Sequence, residues 1–155
     1  MRCRMDRISQ RSIYITQEAR NRLIGVCKEA LPAEACGILT CNLAKHINSA
    51  NKPVVDGIRA IVNNHPNARR SFSFDPADWT AAFFEAQKNR QQIVGFFHSH
   101  PSANAAPSLQ DELGFVSGDE TFSYWIVSFE KGNSPSIQPY VRVRDSFYPL
   151  SLVLA

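Results

Sequence analysis

Apolar and polar positions change period several times along the chain, and each change marks an element. Ser12-Ile13-Tyr14-Ile15 reads as a short strand. From Thr16, a residue suited to capping, Leu23, Ile24, Cys27, Ala30 and Leu31 recur at helical spacing until Leu31-Pro32 ends the helix. Glu34 follows in a connection that leads into a strand-like Gly37-Ile38-Leu39-Thr40-Cys41. The polar stretch from Asn42 to Pro53 predicts a surface loop or hairpin end and not a domain boundary. Ile58 to Val62 and Ser71 to Phe74 are expected to pair as strands, because Phe72 and Phe74 alternate with serines. Asn63-Asn64-His65-Pro66-Asn67 between them is turn chemistry.

Asp75-Pro76 combines a capping residue with a proline suited to a first helical turn. The helix that follows places Trp79, Ala82, Phe83 and Ala86 on one face, which should pack on a sheet. The most strand-like segment is Ile93-Val94-Gly95-Phe96-Phe97-His98-Ser99-His100. It ends at Pro101 in a small-residue loop to Pro107, after which Ser108 begins another short helix. Phe122 to Phe129, Ile137 to Val143 and Phe147 to Leu154 complete the chain as strands. Turns at Gly132-Asn133-Ser134-Pro135 and Arg144-Asp145-Ser146 separate them. The expected architecture is α/β, a mixed central sheet flanked by helices, with no internal repeat.

A chain of 155 residues suits one domain with an ordinary hydrophobic core, and 44% hydrophobic with 20% charged residues is a soluble, folded composition. The domain is expected to span residues 12–155 after a basic tail at 1–11. Arg2, Arg4, Arg7 and Arg11 against Asp6 account for the whole net charge of +3. The rest is neutral, which gives a nucleic-acid partner little electrostatic support. There is no secretory-type apolar stretch at the start and no run approaching the roughly 20 apolar residues that span a bilayer, and the cysteines point to a cytoplasmic protein. Cys3, Cys27, Cys36 and Cys41 follow neither a zinc-type C-x-x-C pattern nor a dense disulfide spacing. Free thiols are expected, with Cys27, Cys36 and Cys41 packed in the core.

The chemistry concentrates around His98 and His100. Two apart at the end of a strand, they leave the same face. Asp111, in the first turn of the helix from Ser108, can fold its carboxylate toward both. Two nitrogens and one oxygen form a facial ligand set that leaves a position for water, as in catalytic zinc sites. The plainer alternatives are a helix-start pair at Ser108 and Asp111, solvated histidines and a surface Glu34. The capping reading does not account for the histidines. His46 and His65, without partners at ligand spacing, read as surface residues, and Arg69 and Arg70 as a solvated strand entrance. Trp79, Phe83 and Phe84 read as core.

At these residues the sequence resembles the JAMM or MPN+ metalloproteases. Their motif is an upstream Glu, then His-x-His, seven residues, Ser, two residues and Asp; here it reads Glu34, His98-Ser99-His100-Pro101, Ser108 and Asp111. Glu34-Ala35-Cys36-Gly37-Ile38-Leu39, Phe74-Asp75-Pro76 and Tyr124-Trp125-Ile126-Val127-Ser128 extend the likeness from about Ile13 to the C-terminus. The resemblance implies one Zn2+ held by His98, His100 and Asp111, with Glu34 activating water and Ser108 supporting the oxyanion. It further implies hydrolysis of a peptide or isopeptide bond, after the Gly-Gly tail of a ubiquitin-like or sulfur-carrier protein. A phage-tail or cell-wall peptidase and a non-catalytic MPN scaffold are the alternatives, the last disfavoured by the intact ligand set. An oligomer is possible, and the sequence does not give the oligomeric state.

Overall fold

Side-chain caps start the two long helices among the described residues. Thr16 accepts a hydrogen bond from the Ala19 backbone N–H at 3.1 Å and opens α1, Gln17–Ala30. Asp75 does the same for Asp78 N–H at 3.0 Å and opens α2, Pro76–Lys88, with Pro76 in the first turn. The computed structural model describes residues 11–45, 52–109, 111, 121–132 and 134–155. The basic tail up to residue 10, Cys3 and His46 lie outside the described residues, as does part of the polar loop after Asn42.

Nine strands are described: β1 (Ser12–Ile15), β2 (Cys36–Cys41), β3 (Val54–Val55), β4 (Gly57–Ile61), β5 (Gln92–His100), β6 (Ser123–Ser128), β7 (Ser136–Val143), β8 (Ser146–Pro149) and β9 (Ser151–Leu154). Six form a mixed sheet in the order β4-β2-β5-β6-β7-β8, in which only β5 and β6 run parallel. The other three form a parallel sheet, β3-β1-β9. A parallel neighbour requires a crossover connection. The one from β5 to β6 leaves the sheet directly after His100 and carries Ser108 and Asp111.

Side chains alternate across the large sheet and give it two dry faces. Leu39, Phe97, Trp125 and Val127 pack with Leu23 and Cys27 of α1 and with Ile15 of the small sheet. Ile38 and Phe96 point the other way, toward Ala82 and Trp79 of α2. Arg59 of β4 ties α2 down by bridging Asp78 at 3.0 Å and Glu85 at 3.0 Å. Cys27, Cys36 and Cys41 are buried free thiols, and burial pushes Cys27 and Cys36 up to about 12, so core packing describes them.

Three expectations need correction. Ser71 to Phe74 is not a strand: a single bridge joins Asn63 to Phe74, because the Asn63 side chain occupies the backbone groups of Ser71 and Ser73. Phe147 to Leu154 is two strands, not one. β8 joins the large sheet and β9 the small one, with Leu150 between them bonded to the Pro139 carbonyl. Phe83 and Phe84 are 39% and 61% exposed, since the face of α2 that meets the sheet runs through Ala82 and Ala86. His65 lies at the surface as expected, partly covered, its Nδ1 accepting from Asn67 N–H at 2.9 Å. The short strand β3 was not foreseen, two residues being too few to show a period.

Candidate metal centre

His98 and His100 end β5 on the face that Phe96 shares, and both are buried. β2 runs antiparallel to β5 with Cys36 opposite His98 and Ile38 opposite Phe96. Continued by two residues, that register sets Glu34 opposite His100 on the same face. The pairing does continue: Ser99 N–H donates to the Ala35 carbonyl at 3.0 Å and Ala35 N–H to Ser99 Oγ at 2.8 Å. Ser99 points to the α1 side and locks Glu34 alongside the histidines.

The crossover brings the fourth group. Asp111 N–H donates to Ser108 Oγ at 3.0 Å and Ser108 N–H to Asp111 Oδ2 at 2.8 Å, a reciprocal helix cap. Capping and site chemistry are therefore compatible roles for the same pair. Asp111 Oδ1 lies 3.1 Å from His98 Nε2, Asp111 Oδ2 lies 3.2 Å from His100 Nε2, and the two Nε2 atoms are 3.2 Å apart. His100 Nδ1 donates to the Asn104 carbonyl at 2.6 Å. That bond places the proton of the neutral ring on Nδ1, so the Nε2 lone pair faces His98 and Asp111.

Neighbouring groups hold this loop. Ser128 Oγ donates to the Ala103 carbonyl at 2.6 Å and Tyr140 Oη to the Ala105 carbonyl at 2.6 Å. Three successive carbonyls of the loop are thus bonded by side chains from β5, β6 and β7. Phe72 stacks on His98 with ring centroids 4.5 Å apart and closes the outer side of the ring.

The donor set fits a small cation. The Nε2–Nε2 separation of 3.2 Å is near the edge of about 3.3 Å in a tetrahedron with metal-to-ligand distances of 2.0–2.1 Å, and Asp111 sets a different oxygen 3.1 to 3.2 Å from each ring. Without a metal, a ring proton shared with Asp111 offsets the repulsion among these groups, and a bound cation would take that proton's place. Glu34 supplies one more oxygen: its ligand atom and those of His98 and His100 lie within 4.8 Å of one another. Its Oε1 is buried without a hydrogen-bond partner among the described residues, an unfavourable state for a bare carboxylate.

The electrostatics follow from burial and the shared carboxylate. Burial would raise the Asp111 carboxyl, but hydrogen bonds to His100 and His98 hold it well below the usual range. Burial lowers His98 below its ordinary value, against the pull of Asp111. For His100 burial is outweighed by its bonds to Asp111 and the Asn104 carbonyl, and the ring stays above its ordinary value. Burial pushes Glu34 up to about 7, with His100 opposing and Asp111 adding.

All five residues singled out by the sequence are thus within one cluster or cap it. Sequence reasoning missed Asn63, Phe72, Ser99 and Asn104. Ser99 stood between the two histidines and so faced away from them by strand period; for the other three the signal is tertiary.

Comparison with known proteins agrees with this fold. Residues 16–140 match the family described as prokaryotic homologs of the JAB domain. A desampylase of Haloferax volcanii is 24% identical over 103 residues, covering 64% of this chain and 69% of the relative. A Desulfitobacterium hafniense protein solved in solution is similar at 25% identity and a TM-score of 0.78, with 92% of both chains covered. A JAB1/MPN domain protein from Archaeoglobus fulgidus shares the fold at a TM-score of 0.52 and 20% identity, with 91% of this chain and 96% of that one covered. The chain belongs to the prokaryotic JAB-domain family, the JAMM/MPN group its motif resembles.

Proposed function

We propose that the protein is a zinc-dependent peptidase or isopeptidase that cuts after the Gly-Gly tail of a ubiquitin-like or sulfur-carrier protein. The observation that carries this reading is the convergence of His98, His100 and Asp111 donor atoms beside the unpartnered Glu34 Oε1. A zinc ion held by those three residues supplies Lewis acidity, which acidifies water toward a pKa of about 7 and polarises a carbonyl. Glu34, outside the ligand set, takes the proton of the attacking water and passes it to the leaving amine. Ser108 Oγ accepts its cap bond from Asp111, so its own hydroxyl proton is free to donate to the oxyanion.

Support for the bond type comes from the Haloferax volcanii relative, whose name describes removal of a ubiquitin-like protein. A Gly-Gly tail suits a site of this kind because, without side chains, its backbone can approach a metal closely. No described helix is long and apolar enough to cross a membrane. The buried free thiols fit a reducing compartment such as the cytoplasm.

The test is metal analysis with turnover. The protein should carry about one zinc per chain, and His98→Ala, His100→Ala or Asp111→Ala should lose it. Glu34→Gln and Ser108→Ala should keep zinc while cleavage of a Gly-Gly carrier bearing one added residue falls by about 100-fold or more. Full occupancy in both histidine variants would overturn the metal assignment. Efficient cleavage of linked ubiquitin with no cleavage of carrier adducts would overturn the substrate.

A further inference from the structure

The loop between β4 and α2 meets the site at two places, and one side chain joins them. Asn63 uses its full hydrogen-bonding capacity. Its Nδ2 donates to the Glu34 carbonyl at 3.0 Å and to the Ser71 carbonyl at 3.0 Å. Its Oδ1 accepts from His65 N–H at 3.0 Å and from Ser73 N–H at 3.0 Å. Exchanging the amide's oxygen and nitrogen would face carbonyl against carbonyl and N–H against N–H, so only this orientation satisfies all four bonds. Ser71 and Ser73 bracket Phe72, whose ring lies on His98. Glu34 is also bonded to the same loop from its other side, its N–H donating to the Ala68 carbonyl at 2.7 Å.

We propose that Asn63 is a positioning residue, which fixes the backbone of Glu34 and the Phe72 segment over His98 in one frame. The inference rests on Glu34 acting as the base described above. The Glu34 peptide is the first outside the β2 to β5 ladder, so sheet pairing alone does not hold its carbonyl. Asn63 supplies that bond, and a small shift there would move the carboxylate relative to the reacting water. Proton transfer at hydrogen-bond distance is sensitive to such a shift.

Asn63→Asp separates the two halves of the role, because it keeps Oδ1 as acceptor and removes the amide donor. Hydrogen exchange read by NMR on the zinc-loaded protein should show the Ala35 amide, which shares its peptide with the Glu34 carbonyl and donates to Ser99 Oγ, exchanging at least about tenfold faster. The His65 and Ser73 amides should keep their protection, and zinc content should not change. In Asn63→Ala all three amides should lose protection. With the Gly-Gly adduct as probe, Asn63→Asp should lower kcat by about 10-fold or more at unchanged KM. In a Glu34→Gln background the same substitution should add no further loss, whereas a merely structural role would multiply the two effects.

If the Ala35 amide stays as protected as in the wild type in both Asn63 variants, the proposal is wrong. Independent, multiplying losses in the double variant would overturn it as well. Wild-type turnover in Glu34→Gln alone would sink the assigned base, and the exchange data would still decide whether Asn63 holds the Glu34 backbone.

Discussion

Glu34 brings a carboxylate into a site where burial pushes its pKa up to about 7. An unfolded Glu titrates near 4.3, so the folded, metal-free protein binds this proton more tightly than the unfolded chain. The sign follows: relative to a neutral side chain, Glu34 costs nothing below about pH 4, and the cost grows as pH rises toward 7. Metal-free Glu34→Gln should therefore exceed the wild type in stability by on the order of 3–4 kcal/mol at pH 8, with the difference closing near pH 4. Urea unfolding with a chelator at both pH values measures this. An equal difference at both would show that the carboxylate is not buried in that state. The motif in the sequence was enough to single out Glu34. Its missing hydrogen-bond partner was not legible, because its surroundings come from β5 and from the loop at 63–73.

At the scale of elements, the β2 to β5 pairing sets the site, and Gly37 permits it. A Cβ at Gly37 would strike the Arg59 carbonyl oxygen and meet the Phe97 ring at 2.6 to 2.7 Å. Phe97 is buried against α1 and precedes His98 on the same strand, so it has little room to move. Gly37→Ala should destabilise the protein by about 1–3 kcal/mol through overpacking. A shift of the urea midpoint of that size is expected, and an unchanged midpoint would mean that the sheet opens there without strain. Alternation in β5 announced two faces from sequence alone, and Thr16 and Asp75 announced both helix starts. Phe72 and Phe74 misled by the same rule, since a period of two also fits an extended loop whose pairing is taken over by a side chain.

For the whole molecule, the donor groups come from chain positions 34, 98–100 and 111, and they meet only when the sheet and the crossover are in place. Zinc that binds the folded state and not the unfolded one must raise its stability by mass action, about 2.7 kcal/mol at a hundredfold excess over Kd. Thermal unfolding should show Tm rising with added zinc and falling with a chelator, and His98→Ala should show neither response. A zinc-independent Tm in the wild type would mean that no metal site is completed by folding.

The sequence by itself determined the α/β class, the two helix starts, the buried thiols and the residues Glu34, His98, His100, Ser108 and Asp111 that carry the motif. These follow from local rules: period, capping chemistry and spacing along a strand. Tertiary structure alone decided that β8 and β9 join different sheets, that Phe83 and Phe84 face outward, and that Asn63, Phe72 and Asn104 belong to the site. Each of these depends on a partner distant in sequence, and the choice between partners is made by sheet register and packing, which no local pattern of apolar and polar residues encodes.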